Sequence, residues 1–211
     1  PETAQRIFGV PVADEDLEAV VEMQRLMVGG TMYATVLALR SHGITCNLGG
    51  GLHHARRDSG LAFCMFNDVA IAVSRQRSRG YRGRVMVIDL DIHDGNGTRA
   101  VFAHDPTVHT FSVHNEHWSD TTAVESTSIA LGDGVTDEVY LGTLLQALPD
   151  ALRDFEPDRH VRRTGGRPRS GRQPRGRRVV TLPELAIRRH VTPLMILVSM
   201  IVLGGVGQLA G

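Results

Sequence analysis

Segments of helical periodicity alternate with short apolar runs along the first 158 residues. Residues 14–42 predict a long helix, with Asp14 or Asp16 as its N-cap. Gly29 and Gly30 interrupt this helix, and such a pair either allows a kink or lets another backbone approach. The apolar positions that define the expected buried side are Leu17, Val20, Val21, Met27, Met32, Val36 and Leu37.

The rest of this region predicts alternating strands and helices. We expect a short buried strand and loop over 44–48, a helix over 66–78, a strand over 85–90, a short helix over 97–103, a strand over 108–113 and a helix over 136–156. The last helix has an apolar side made of Leu141, Leu144, Leu145, Leu148 and Leu152. Strands that alternate with helices predict an α/β fold with a parallel sheet, and ligands then bind beyond the carboxyl ends of the strands.

The composition changes after residue 158. Residues 159–178 contain nine Arg and no acidic residue, although the whole chain has 23 cations, 23 anions and zero net charge. An Arg/Gly/Pro-rich segment cannot bury a core, so we expect residues 159–190 to be a disordered linker. Its arginines predict at most non-specific affinity for phosphates, and no specific nucleic-acid partner. The alternative is that the gene continues the first domain in another reading frame.

The remaining residues, 191–211, form an uncharged apolar tail. Its length is near the lower limit for a membrane span, but its Gly-rich end favours a buried strand or helix, so we expect no membrane partner. Cys46 and Cys64 show no pairing pattern and no signal pattern precedes the domain, which predicts a reducing, cytoplasmic setting. The expected organisation is therefore a partial domain over 1–158, a linker and a tail.

Two segments carry candidate chemistry. The strand over 85–90 leads into Asp89, Asp91 and His93 at alternating positions, which places the three side chains on one face if the strand continues. A carboxylate and an imidazole are ligand types that Zn²⁺ takes, and a catalytic zinc usually has a third protein ligand. An isolated pair of this kind is also compatible with a local cap or turn.

The second segment places His53 and His54 directly after the glycine-rich turn 49–51. Adjacent histidines often only face solvent, but glycines can bring them close to a substrate. Asp89 could accept a hydrogen bond from one imidazole, and Asn96 could orient the other without adding charge. Unequal partners would give the two histidines different pKa values, which suits a base and an acid in metal-assisted hydrolysis.

Four ordered motifs resemble the zinc-dependent histone deacetylase superfamily, which includes bacterial deacetylase-like proteins, acetoin-utilisation proteins and acetylpolyamine amidohydrolases. The motifs are Gly-Gly-Gly-Leu-His-His-Ala (49–55), Phe-Cys-Met-Phe-Asn-Asp (63–68), Asp-Leu-Asp-Ile-His-x-Gly-Asn-Gly-Thr (89–98) and Thr-Phe-Ser-Val-His (110–114). The resemblance covers residues 25–158. It implies an arginase/deacetylase-type α/β fold and hydrolysis of the N-acetyl amide of an acetylated lysine side chain or an acetylated small amine.

The resemblance also implies a role for each candidate residue. Asp91 and His93 match two zinc ligands, and His53 and His54 match the tandem catalytic histidines. The remaining matches are the histidine partners Asp89 and Asn96 and the acyl-lysine channel residues Gly60 and Phe63. A structural potassium ion is implied as well, with oxygens from Asp89, Asp91, His93, Ser112 and Val113. Ser112 has an alternative role as an ordinary strand-end hydrogen-bonding group.

The sequence departs from the family pattern at several positions. Asp94 stands where many relatives have His or Gln, which predicts altered surroundings for the metal. The family's third ligand is a later Asp, yet Glu184 is the only acidic residue after Asp158. The family's catalytic Tyr follows a late glycine-rich loop, where Gln208 stands here, and the tyrosines of this chain all come too early: Tyr33, Tyr81 and Tyr140.

These departures predict a truncated family member with weak or absent activity. The alternative is a non-catalytic remnant that binds a metal or an acyl group. A parallel sheet is stable when both of its faces are covered, so missing later elements would leave apolar surface open. We therefore also expect association into homo-oligomers.

Overall fold

The computed structural model describes residues 2–158 and 199–202. The helices and strands in chain order are α1 (Glu2–Phe8), α2 (Asp14–Ser41), α3 (Asp68–Ser78), β1 (Val85–Asp89), α4 (Asn96–Val101), β2 (Val108–His114), β3 (Ser126–Ala130), α5 (Asp137–Phe155) and β4 (Ser199–Val202). Helices and strands alternate from α3 to β2, as the sequence predicts for an α/β fold, and β3 follows β2 without a helix between them. The short helix α1 and strand β3 carry too few apolar residues for sequence periodicity to indicate them.

The strands form one sheet in the order β3-β2-β1-β4. β1, β2 and β3 are parallel, and β4 pairs antiparallel to β1. The register places Val85 opposite Val108 and Asp89 opposite Ser112. The carboxyl ends of the three parallel strands therefore meet at one edge of the sheet.

The sheet is covered by helices on both faces. Alternate residues of β1 point in opposite directions, so Val85 and Val87 pack with α3, whereas Met86 and Ile88 pack with α5. Both clusters are closed to solvent, and β1 and β2 are buried along their whole length. A continuously apolar strand with both faces covered is the pattern expected of a parallel sheet.

Helix α2 differs from its prediction in three respects. Its N-cap is Ala13, without a capping side chain, so neither Asp14 nor Asp16 occupies that position. It runs unbroken through the glycine pair. A side chain rather than a backbone segment approaches Gly30, because a Cβ there would lie 2.7 Å from the Asn47 side chain. Its expected apolar positions are not fully buried; the buried stripe is Gln24, Val28, Thr31 and Thr35.

The predicted buried strand over 44–48 is wrong. These residues form no strand, and Ile44 and Leu48 are 85% and 95% exposed. The polar residues between them contact α2 instead: the Thr45 hydroxyl donates to the Ala34 carbonyl, and Asn47 also donates to this helix. On α5, the expected core residue Leu145 is likewise exposed, at 52%.

Most of the predicted linker and tail lies outside the described residues. The exception is β4, which pairs with the edge of β1 and falls within the apolar tail. Within the described parts of the chain, no helix has the length and hydropathy needed to cross a membrane. Cys46 and Cys64 are both free thiols.

The glycine at position 97 allows two backbone segments to meet. A Cβ there would lie 2.3 Å from the carbonyl group of His54, and rigid backbone cannot yield. We predict that Gly97→Ala lowers the free energy of unfolding by about 1–3 kcal/mol, the usual cost of overpacking. Gly142, exposed within α5, has no atom within 4 Å of the position that a Cβ would occupy.

Gly142→Ala is therefore the matched control. It should raise the free energy of unfolding by about 0.5–1 kcal/mol, because alanine loses less backbone entropy in a helix. Urea denaturation of both variants at one pH measures the two changes. Equal effects of the two substitutions would contradict the close approach at position 97.

His109 of β2 joins three elements of the fold. Its Nδ1 lies 3.3 Å from the Glu125 carboxylate, its Nε2 lies 3.0 Å from the Thr127 hydroxyl, and its ring centroid lies 5.1 Å from that of Phe155. Burial lowers the pKa of His109 more than the hydrogen bond and charge of Glu125 raise it, and Arg84 lowers it further.

This lowered pKa predicts a pH-dependent stability. Below the unfolded value of 6.5 the unfolded chain binds the proton more readily than the folded chain, so His109 destabilises the fold as the pH falls. Its effect is absent well above that pH and cannot exceed about 1.4 kcal/mol per pH unit. We expect His109→Gln to lose less stability than the unmodified chain between pH 7.5 and 5.5, as measured by urea denaturation.

The exposed His104 provides the control, since His104→Gln should keep the slope of the unmodified chain. A His109→Gln slope equal to that of the unmodified chain would show that His109 does not contribute.

Candidate functional site

The candidate site lies at the carboxyl end of β1. The strand ends at Asp89, so the alternation expected to align Asp89, Asp91 and His93 does not continue. Two carboxylates shape the backbone instead: Asp89 Oδ1 accepts from the Asp91 amide at 3.1 Å, and Asp91 Oδ1 accepts from the His93 amide at 2.8 Å. Such side-chain turns explain how the Asp91 and His93 side chains come together after the strand has ended.

Asp91 and His93 form an oxygen–nitrogen pair. Asp91 Oδ1 lies 2.9 Å from His93 Nδ1, and the same oxygen lies 3.8 Å from His53 Nε2. The Asp91 side chain is buried, whereas that of His93 is 43% exposed. A carboxylate and an imidazole nitrogen this close fit the donor preferences of zinc, and one side of the pair faces solvent.

The two histidines lie side by side, with ring centroids 4.0 Å apart. His53 Nδ1 lies 2.6 Å from Asp89 Oδ2, and His54 Nδ1 lies 2.9 Å from Asn96 Oδ1. Both rings are buried. The structure therefore gives each histidine the partner that the sequence suggests, one charged and one neutral.

Unequal partners displace the two histidine pKa values in opposite directions. Burial lowers the pKa of His53, but the hydrogen bond and charge of Asp89, together with Asp91 and Asp94, outweigh burial and raise it overall. Burial and the neighbouring His53 lower the pKa of His54 more than its hydrogen bond to Asn96 raises it. One imidazole therefore favours the charged form and the other the neutral form.

The turn that leads into His53 and His54, called the histidine turn below, is held by the carboxylate of Asp68. Sequence reasoning did not single out this residue. This buried carboxylate accepts hydrogen bonds from the amides of Gly51 (3.1 Å) and Leu52 (2.8 Å) and from the Thr31 hydroxyl (2.6 Å). Its position in the first turn of α3 also suits a negative charge. Asn67, the N-cap of α3, donates to the Ala55 carbonyl after the turn.

The predicted channel residues lie in the segment that follows the histidine turn. Phe63 is 66% exposed, has a φ of 67° and packs near Phe8, with ring centroids 6.2 Å apart. Gly60 borders an open groove of about 740 Å³ and lies so close to Ile7 that a Cβ would be 2.6 Å from it. Their role in a channel stays a prediction.

Two of the predicted potassium residues, Ser112 and Val113, belong to the strand next to Asp89, and Ser112 lies opposite Asp89 in the sheet. Ser112 and Val113 are buried in β2, and the Ser112 hydroxyl lies 2.8 Å from His114 Nδ1, which is the local hydrogen bond of the alternative role. Asp89, Thr110 and Ser112 line a cavity of about 10 Å³, and the Thr110 hydroxyl has no hydrogen-bond partner there. That volume is about the size of one water molecule.

The sequence predicts that Asp94 alters the surroundings of the metal; in the structure its carboxylate pairs with Arg99. Its carboxylate receives two hydrogen bonds from Arg99, of 2.6 and 2.7 Å. Asp94, His114 and His117 are the one group of three metal-ligating side chains in the described residues whose ligand atoms lie within 4.8 Å of one another. Because Arg99 already neutralises Asp94, we interpret this group as a hydrogen-bonded network.

Two aromatic residues at the site lacked a signal in the sequence. Trp118 stacks on His54, with ring centroids 4.5 Å apart and planes at 6°, and its ring also meets His93 edge-on at 5.1 Å. The Tyr140 hydroxyl donates to the Leu90 carbonyl at 3.4 Å. Both residues follow the site motifs in the chain at distances that no local pattern specifies.

Comparison with known proteins agrees with this architecture. The family model of the histone deacetylase domain matches residues 16–168. An uncharacterized protein of Picosynechococcus sp. is 40% identical over 156 residues, which are 74% of this chain and 50% of that protein. Acetoin utilization protein AcuC of Bacillus subtilis is 32% identical over 158 residues, covering 68% of this chain and 41% of that protein.

A solved structure supports the fold. The crystal structure of an HDAC homolog from Aquifex aeolicus superimposes with a TM-score of 0.57 and 24% sequence identity, covering 64% of this chain and 39% of that chain. The present chain thus spans half or less of the length of these similar proteins. Since the family model matches most of the residues and the α/β architecture agrees, the chain belongs to the histone deacetylase domain family.

Proposed function

We propose that this domain hydrolyses the N-acetyl amide of an acetylated lysine side chain or an acetylated small amine, and that it uses Zn²⁺. The observation that carries the proposal is the pair of adjacent imidazoles, 4.0 Å apart, beside the Asp91–His93 pair. Family membership supports deacetylation as the reaction type. The zinc dependence is inferred from the donor set of the site, and the substrate is inferred from the family resemblance.

Asp91 and His93 would hold the metal ion, with a further ligand from outside the described residues. When bound, Zn²⁺ polarises the acetyl carbonyl and lowers the pKa of water. His93 is partly open to solvent, which leaves access for the substrate, while Asp91 is buried and fixed by the turn after Asp89. The potassium ion implied by the resemblance stays a prediction.

The two histidines have different roles in the proposed reaction. His54 has a lowered pKa and a neutral partner, so its free nitrogen suits the removal of a proton from the attacking water. The same imidazole then returns the proton to the leaving amine. His53, with a raised pKa and Asp89 behind it, favours the cationic form and stabilises the negative charge that develops on the acetyl oxygen.

A non-catalytic binding module is the second candidate, and the tyrosines favour it. Tyr33 is 66% exposed, and the Tyr140 hydroxyl is bonded to a backbone carbonyl. Burial, followed by the charges of Asp89 and Asp91, raises the pKa of Tyr140 to about 12. Neither side chain is therefore placed to donate to a substrate oxyanion, which predicts slow turnover.

Metal binding tests the first part of the proposal. We predict that the purified chain binds zinc and that Asp91→Asn weakens this binding at least about 10-fold, because a neutral amide replaces the anionic ligand. Zinc titration calorimetry measures the dissociation constants. Asp58→Asn, a substitution of an exposed carboxylate, is the control and should keep the affinity of the unmodified chain. Equal affinity in all three proteins would refute the assignment of the Asp91–His93 pair.

Turnover tests the second part. We expect slow release of acetate from an N-acetyl-lysine peptide in the presence of zinc, and a loss of about 10²–10⁴ in kcat for His54→Ala, since general acid–base catalysis contributes that factor. His104→Ala provides the control. Tight zinc binding with no turnover in any form of the chain would favour the binding module over the hydrolase.

A further inference from the structure

The residue pair Asp94–Arg99 carries out no step of the proposed reaction, although both side chains are buried next to the candidate site. Arg99 and Asp94 are 4% and 0% exposed, and their charged groups make two parallel hydrogen bonds. Replacing a buried ion pair with apolar side chains is often neutral or stabilising, so the pair is weak evidence for stability alone. Its remaining hydrogen bonds indicate another role.

Those remaining bonds all lead to the connection between β2 and β3 or to β3 itself. Asp94 Oδ2 accepts from the Trp118 amide at 3.1 Å, and Arg99 Nε donates to the Thr121 carbonyl at 3.0 Å. Arg99 also donates to the Ser128 hydroxyl in β3 at 3.0 Å. The ion pair thus holds the segment 115–125 at two of its backbone positions.

The held segment contains the ring that covers the catalytic histidine. Residues 115–125 contain no helix or strand, so the backbone at Trp118 has no ladder of hydrogen bonds to fix it. His117 adds a weaker contact, with its Nδ1 3.3 Å from His114 Nε2. The stacking of Trp118 on His54 at 4.5 Å therefore depends on the anchored amide of Trp118 itself.

We propose that Asp94 and Arg99 are positioning residues that fix Trp118 against His54 and so shape one wall of the site. Asp94 also makes the smallest of the named contributions that raise the pKa of His53, and the pair otherwise acts on the substrate through this ring. The catalytic consequence rests on the proposed deacetylation, whereas the placement of the ring does not. Fixing a ring before the substrate arrives lowers the entropy that binding has to remove.

A double substitution tests the placement of the ring without any assay of activity. Asp94→Asn/Arg99→Gln removes both charges together, so no unpaired charge stays buried. Trp118 is the only tryptophan of the chain, so its fluorescence reports this position alone. We expect a red-shifted emission maximum and a larger acrylamide quenching constant, with unchanged far-ultraviolet circular dichroism.

The same exchange at an exposed pair on α5, Asp150→Asn/Arg153→Gln, is the matched control and should leave the emission unchanged. If the first double variant does not fold, Arg99→Lys keeps the charge opposite Asp94 but lacks the Nε donor to Thr121, and it should also raise the quenching constant. Unchanged fluorescence in a folded variant at positions 94 and 99 would overturn the proposal.

Kinetics test the catalytic consequence separately. We expect the double variant to lower kcat/KM by about 10- to 100-fold, the range for a displaced positioning group. In a Trp118→Ala background the same double substitution should cause at most a minor further loss, since both changes act mainly through one ring. Additive losses would overturn the proposal that Asp94 and Arg99 act through Trp118. If the chain shows no turnover, the proposed function fails, and the fluorescence result still decides the placement of the ring.

Discussion

The site depends on how one carboxylate, that of Asp89, is shared between two segments of the chain. One oxygen accepts from the Asp91 amide and bends the chain out of β1, while the other lies 2.6 Å from His53 Nδ1. The carboxylate of Asp89 therefore fixes both the turn that carries Asp91 and His93 and the ring of His53. Because Asp89 is held within a buried parallel strand, neither segment can shift without breaking a charge-assisted hydrogen bond.

Close approach of backbones is the second constraint. The amide of Thr98 donates to the His53 carbonyl at 3.0 Å, which ties the start of α4 to the histidine turn. The same contact leaves no room for a side chain at Gly97. Asp68 holds the other side of that turn through two backbone amides, so the two histidines are set by backbone contacts on both sides.

The sequence predicts what local patterns encode. Periodicity predicts the strand over 85–90 and the helices over 66–78 and 136–156. The pairing of each histidine with its partner follows from the family resemblance. The buried side of α2 could not be predicted, because Gln24 bonds to the Phe63 carbonyl and Thr31 bonds to Asp68 of α3, and both partners are distant in sequence. For the same reason Trp118 was missed, since its contact with His54 is set by tertiary packing.

The direction of β4 bears on how a third metal ligand could be supplied. β4 runs antiparallel to β1, and Ser199, at its amino end, lies opposite Asp89. The carboxyl end of β4 therefore lies at the opposite edge of the sheet, opposite Met86. Ligand sites of parallel α/β sheets lie beyond the carboxyl ends of the strands, and Asp91 and His93 lie in such a position after β1. The carboxyl end of β4 does not reach that edge, so the proposed zinc site would need its further donor from another part of the protein.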